Sequence, residues 1–244
     1  MAEPAASPRY ARVVLKVSGE AFAGTVGFGI DAQPLERIAR EIAAVATAGA
    51  QCAVVVGGGN FVRGSTTSRS VRIPEATAHH MGMLATVINA LALQEVLEGL
   101  GVQTRVMSAI AIAAVCEPYL RRRCIRHLEK GRVAVLAAGT GRPFVTTDTA
   151  AALAALEIDA HAVLKATKVD GVFSADPQTH PNAVFYPTLT YDRVLAERLE
   201  VMDLSAIELC RQKKIPIVVF NMNTPGSMRK VVLGERIGTT VTAG

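Results

Sequence analysis

Tryptophan is absent, and aromatic residues make up only 5% of the 244 positions. No RNA-binding aromatic signature can be assembled from so few rings, and no nucleic-acid partner is expected. Charged residues amount to 19%, with a net charge of +5. The densest basic cluster, Arg121-Arg122-Arg123 with Arg126 and His127, reads as a solvated helix face. Such a mild positive balance suits anionic small molecules. The four cysteines, Cys52, Cys116, Cys124 and Cys210, form no C-x-x-C pair. That argues against a disulfide scaffold or a zinc site and fits a reducing cytoplasm, with Cys52 and Cys210 as core residues. The first residues lack a basic stretch followed by an apolar one, so no signal peptide is expected. No apolar run approaches the ~20 residues of a membrane span, and no membrane partner is expected. Several motifs are also missing. Without G-x-x-x-x-G-K-[ST] the chain is not a P-loop NTPase, and without G-x-G-x-x-G it is not an orthodox dinucleotide binder. No G-x-S-x-G and no Cys–His nucleophile pair appears.

What is present is a hydrophobic half, and strand-like runs that alternate with helical ones. Strands are expected at Val13–Val17, Ala53–Val56, Thr104–Met107, Val133–Ala137, Ala162–Lys165, Ile215–Phe220 and Thr239–Thr242. Helices are expected at Pro34–Ala48, Ala76–Leu100, Pro118–Glu129, Thr149–Glu157, Asp192–Leu199 and Leu204–Lys213, with a last one initiated by Pro225. Thr147 or Asp148 can cap the helix that carries Thr149–Glu157. In the long helix, Met81, Leu84, Ile88, Leu91 and Leu97 share one face; Gly82 and Ala85 opposite could admit a close neighbour such as another subunit. Ser65–Glu75 reads as a loop, and the aromatic, turn-rich Asp170–Pro187 as hairpins. This alternation predicts a three-layer α/β fold, with helices on both faces of a mainly parallel sheet. Residues 1–11 read as a flexible tail. Residues 12–244 form one domain, in two lobes of roughly 12–160 and 161–244.

The chain turns on residues 53–64, where an apolar strand ends in Gly57-Gly58-Gly59 and Arg63 follows. Bare glycine backbone lets N–H groups approach a ligand closely, and arginine is a planar phosphate partner. Three more such stretches follow apolar strands: residues 16–19, 139–148 and 166–170. In an open parallel sheet these strand ends converge on one edge, where ligands bind. Glycines, hydroxyls, basic residues and aspartates suit phosphoryl transfer, where catalysis is mostly positioning and charge neutralisation. A phosphate acceptor needs no general base, because its second pKa of about 6 leaves it largely anionic at neutral pH. Each residue also has an ordinary alternative. Lys16 could be a strand-end lysine, Thr147-Asp148 and Asp203 helix caps, Asp176-Pro177 a turn, and Phe173 core.

At these residues the sequence resembles the bacterial UMP kinases (uridylate kinases) of the amino acid kinase superfamily. The motifs that carry the likeness are residues 15–21, 27–31, 57–64, 80–92, 139–148, 164–177, 201–204 and 219–226, in family order over nearly the whole chain. The resemblance implies an αβα sandwich, a homohexamer, and transfer of the ATP γ-phosphate to UMP with Mg²⁺, in pyrimidine nucleotide biosynthesis. It implies Lys16, Arg63 and Asp148 as catalytic. Lys16, Val17, Ser18, Gly19, Gly59, Arg63, Thr167, Phe173 and Asp176 would bind ATP. Gly58, His79, Thr140, Gly141, Arg142, Pro143, Phe144, Val145, Thr146 and Thr147 would bind UMP. Gly24, Thr25, Val26, Gly27, Phe28 and Gly29 would form the region that senses GTP as an activator, with UTP as the inhibitor. No metal ligand is implied, since ATP carries the magnesium.

Two positions depart from the family pattern. His79 stands where an aspartate usually accepts from the ribose hydroxyls, and Arg142 stands where asparagine is usual. Glu75 lies four residues before His79 and can share its helix face. Competing expectations are a same-fold kinase with another acceptor, such as CMP or a carboxylate or carbamate, and a non-catalytic oxyanion or nucleotide-binding protein.

Overall fold

The computed structural model describes residues 7–62, 72–177 and 179–244. Arg63 and Gly64, most of the expected Ser65–Glu75 loop, and residues 1–6 of the expected tail lie outside them.

The sheet is built outward from its first strand. β1 (Arg12–Val17) pairs in parallel with β2 (Gln51–Val56) on one side and β6 (Ala162–Thr167) on the other. Beyond β2 lie β5 (Val133–Ala137), β3 (Thr104–Ser108) and the two-residue β4 (Glu117–Pro118). Beyond β6 lie β10 (Ile217–Asn221), β11 (Thr239–Thr242) and β9 (Thr188–Thr190). Only the β10–β11 pairing is antiparallel within this sheet. The expected hairpin is there, as β7 (Val172–Phe173) against β8 (Phe185–Tyr186).

The strands are apolar on both faces, so both must be covered. One face packs against α1 (Ala32–Thr47), α2 (Glu75–Gly99) and α7 (Ser227–Leu233) through residues such as Ile38, Ile42, Leu93, Leu97 and Val231. The other packs against α3 (Arg121–Glu129), α4 (Thr147–Glu157), α5 (Tyr191–Glu197) and α6 (Leu204–Lys213) through residues such as Leu128, Ala151, Ile158, Tyr191 and Ile207. This is the expected three-layer arrangement. Cys52 and Cys210 are core residues, and burial pushes their thiols up to about 12.

Several local expectations are corrected. The cap of α4 is Thr146, whose hydroxyl accepts from the N–H groups of Asp148 and Thr149, not Thr147 or Asp148. α3 begins at Arg121 because Glu117 and Pro118 pair with β3 as an edge strand. α7 begins at Ser227, since Gly226 before it is left-handed and breaks the helix expected to begin at Pro225. The face that carries Met81, Leu84, Ile88 and Leu91 is mostly the outward one, although Leu97 at its far end is buried. Leu84 and Ile88 are about half exposed, while Ala78, Met83, Thr86, Asn89, Ala90 and Leu93 are buried. α2 is also long and apolar enough, by length and composition, to cross a membrane, contrary to expectation. Its inner face is part of the core, which makes it a layer of the domain.

Candidate active site

Strand alternation sets the centre of the site. Val13, Leu15 and Val17 face the α1–α2 layer, while Val14 faces the other layer and Lys16 follows the same parity. Lys165 is the register partner of Lys16 on β6, so both lysines sit side by side on one face near the carboxyl ends of their strands. α4 crosses that face and brings Asp148, in its first turn, between them. Lys16 Nζ lies 2.8 Å from Asp148 Oδ1, and Lys165 Nζ lies 2.9 Å from Oδ2. Lys165 also donates to the carbonyl of Val201 at 2.6 Å. Burial pushes the Asp148 carboxyl up, but the two ammonium groups outweigh it and hold the group below the usual carboxylate range. Burial lowers Lys165, aided by the charge of Lys16 and opposed by Asp148. The result is one carboxylate between two cations, with net positive charge at the sheet edge.

The glycine turn lies beside this centre. The Gly57 N–H donates to Val17 O at 2.9 Å, which ties the turn to the end of β1. A Cβ on Gly19 would meet Gly59 N at 2.6 Å, and one on Gly58 would meet Gly82 O at 2.5 Å. Both approaches exclude any side chain, so glycine is demanded by space. The small residues Gly82 and Ala85 thus admit a close neighbour, as expected, and it is the glycine turn of the same chain.

Gly58 and Gly59 line a cavity of about 150 Å³ together with His79, Gly82, Met83, Thr86, Ala138, Gly139, Thr140, Arg142, Val145 and Thr147. Thr86 fixes its floor by accepting from Ala138 N at 2.6 Å. The wall at 138–144 is conformationally strained. Ala138 and Phe144 have φ of 64° and 65°, and Gly139 and Gly141 are left-handed as well. Phe144 packs its ring on His79, 4.9 Å between centroids. His79 Nε2 is 3.7 Å from Glu75 Oε1, so the two do share a helix face. Thr140 Oγ1 is buried and has no hydrogen-bond partner among the described residues. Thr146 is spent as a cap and on Asp203, which also accepts from Thr149 and caps α6.

A second cavity, of about 430 Å³, holds Phe173 and Asp176 with Val169, Gly171 and residues 197–200. Phe173 lies against Phe185, and the carbonyl of Asp176 accepts from the Thr179 and His180 N–H groups as a turn would. Thr167, at the end of β6, donates to Val169 O and packs toward Phe220 O. Gly24 and Thr25 line a third cavity of about 220 Å³, with Arg37 and Lys168. Val26 and Phe28 project outward.

The structure thus joins Lys16, Gly19, Gly58, Gly59 and Asp148 at one sheet edge. Lys165, Thr86, Asn60 and Asn89 belong to the same assembly and were missed. Lys165 hides inside an apolar run, and only strand register shows that it stands beside Lys16.

A parallel sheet with this charged edge and a glycine turn in place of a P-loop defines a class. The chain belongs to the amino acid kinase family, whose model matches residues 11–221. Two of its relatives are uridylate kinases. A uridylate kinase of Methylococcus capsulatus is 54% identical over 237 residues, which is 97% of this chain and 99% of that one. Another, from Xanthomonas axonopodis pv. citri, is 54% identical over 232 residues, 95% and 96% of the two chains. Among solved structures, UMP kinase from Bacillus anthracis superposes with a TM-score of 0.92 at 39% identity, covering 96% of each chain.

Proposed function

We propose that this chain transfers the γ-phosphate of ATP to UMP, giving ADP and UDP. The observation that carries the reading is the Lys16–Asp148–Lys165 cluster, set beside a glycine turn that lines the smaller cavity. UMP occupies that cavity, with its phosphate at Gly58 and its nucleoside against His79 and residues 140–147, Thr140 to Thr147. ATP lies along Lys16, Val17, Ser18, Gly19 and Gly59, with its adenosine toward Thr167, Phe173 and Asp176 in the larger cavity. Arg63 joins the phosphates from the segment that follows the turn.

The chemistry needs little more than charge and alignment. The acceptor oxygen is already anionic near neutral pH, so no side chain has to remove a proton. Lys16 and Lys165 offset the negative charge spread over the transferring phosphoryl group, and Asp148 holds both ammonium groups at fixed positions. Mg²⁺ comes with ATP and neutralises phosphate charge when bound. Asp148 is already committed to two lysines. The wider reading is a cytoplasmic homohexamer, activated by GTP through residues 24–29 and inhibited by UTP, with an acceptor lobe before residue 160 and an ATP lobe after it.

Glu75 or His79, which lie on one face of α2, takes the ribose contact in this reading. A coupled assay of ADP release with UMP, CMP and dCMP in parallel tests the proposal. Turnover with UMP above the other two is expected. Preference for CMP would reassign the acceptor, and no turnover with any of the three would remove the kinase reading.

A further inference from the structure

Asn60 follows the glycine turn and Asn89 lies on the inner face of α2. Both are almost wholly buried, at 1% and 0% exposure. Their amides bond reciprocally: Asn60 Nδ2 donates to Asn89 Oδ1 at 2.9 Å, and Asn89 Nδ2 donates to Asn60 Oδ1 at 2.7 Å. Each then uses its second proton on a backbone carbonyl. Asn89 donates to Gly57 O at 2.8 Å, at the root of the turn, and Asn60 donates to Gly29 O at 2.7 Å. The Gly29 N–H in turn donates to Asn60 O at 3.0 Å. The next residue, Phe61, packs edge-on against Phe28 at 5.7 Å. On its other side Asn60 abuts Gly19, where a Cβ would stand 2.7 Å from Asn60 Oδ1.

A buried amide pair must satisfy every donor and acceptor it removes from water, and an apolar pair of similar shape is often no less stable. Stability alone therefore does not call for two asparagines here. What an apolar pair cannot do is hold two carbonyls. The pair ties the turn to α2 and to the segment ending at Gly29, and it sets the turn against the Ser18–Gly19 corner.

We propose that Asn60 and Asn89 are positioning residues of the transfer reaction, fixing the Gly57–Gly59 turn and linking its geometry to the loop at residues 24–29. The inference rests on the kinase reading, because the turn is where that reading brings the two phosphates together. Neither asparagine touches substrate; both act through the turn backbone. Nucleotide bound at the turn should steady the loop, and loss of the pair should loosen the turn.

The test uses the full-length protein and two readouts. Asn89→Leu keeps the branching and the burial but loses both donations. It also strands the buried Asn60 amide and the Gly57 carbonyl, so it should unfold several degrees below wild type while still folding, and it should lose at least ten-fold in kcat/KM for UMP, with KM for both nucleotides raised. In the wild type, hydrogen exchange at the Gly29 amide should slow when UMP and a non-hydrolysable ATP analogue are added together. A folded Asn89→Leu protein with unchanged kcat and KM would overturn the proposal. If that variant does not fold, Gly29 exchange that ignores both nucleotides would overturn it. Wild-type protein that turns over neither UMP nor CMP would instead remove the kinase reading. In that event the exchange response to the ATP analogue alone still tests the link.

Discussion

Asp148 is the residue on which the charges at the sheet edge depend. Its carboxylate is depressed below its ordinary range, so it contributes stability above the unfolded value, and that contribution is lost as pH falls through the folded one. Lys165 is also depressed, so the folded protein releases that proton before the unfolded chain does. Stability should therefore rise as pH climbs through the folded value of Lys165 toward the ordinary lysine value, where the gain levels off. Activity should run the other way on that limb. As Lys165 loses its proton a cation disappears from the site, so kcat should decline at a pH below the ordinary lysine value. Lys165→Arg should move that decline to higher pH, and a pH profile of kcat in the two proteins checks it. Asp148→Asn leaves two ammonium groups facing one neutral amide, and kcat should fall by roughly 10²–10³-fold, the scale of losing a preorganised charge contact. Steady-state kinetics at neutral pH measure it. Lys16 and Asp148 were legible in sequence because polar residues at strand ends and helix starts stand out. Lys165 was not, since its meaning comes from the register with β1 and no local pattern encodes register across 148 intervening positions.

At the level of elements, most strands and helices were legible within a few residues, because apolar runs bounded by glycine and proline define them. Their facing was less so. α2 is apolar nearly all round, so its period identified a helix without telling inside from outside. The buried Thr86 and Asn89 mark the inner face, since their partners Ala138 N and Gly57 O are supplied by the sheet edge. The glycine turn makes a sharper case. Gly58→Ala would drive a Cβ into the Gly82 carbonyl at 2.5 Å, and backbone on both sides leaves nothing flexible to yield. The turn must move away from α2, so activity should drop by at least ten-fold, a barrier change of about 1.4 kcal/mol. Loss of activity with a retained helical circular dichroism spectrum is the expected result. Asp203 carries a different load. It caps α6 through Ala206 N and accepts from Thr146 and Thr149 at the start of α4. Asp203→Ala should cost about 1–2 kcal/mol, the upper part of the range for a lost cap, read as a lower midpoint in urea unfolding.

At the scale of the whole molecule, α2 presents a face that the domain does not use. Leu84 and Ile88 stand one helical turn apart on α2, each about half exposed, with Met81 and Leu91 partly buried nearby. A helix this apolar satisfies the sheet with one side and still presents large aliphatic groups on the other. Contiguous exposed apolar surface of this kind marks an association site. In the hexamer reading, this face is covered by a second copy of the chain, an occupant that the helix can meet with the same residues in reverse. Replacing Leu84 and Ile88 together with glutamate puts like charges opposite each other across any such symmetric contact. The doubly substituted protein should keep its fold, because neither side chain enters the core, and should run as a smaller species than wild type in light scattering. Added salt should partly restore association by screening the introduced charges. If wild type and variant have the same mass at every concentration tried, this face is not where the copies meet, and the exposed leucine and isoleucine must be accounted for some other way.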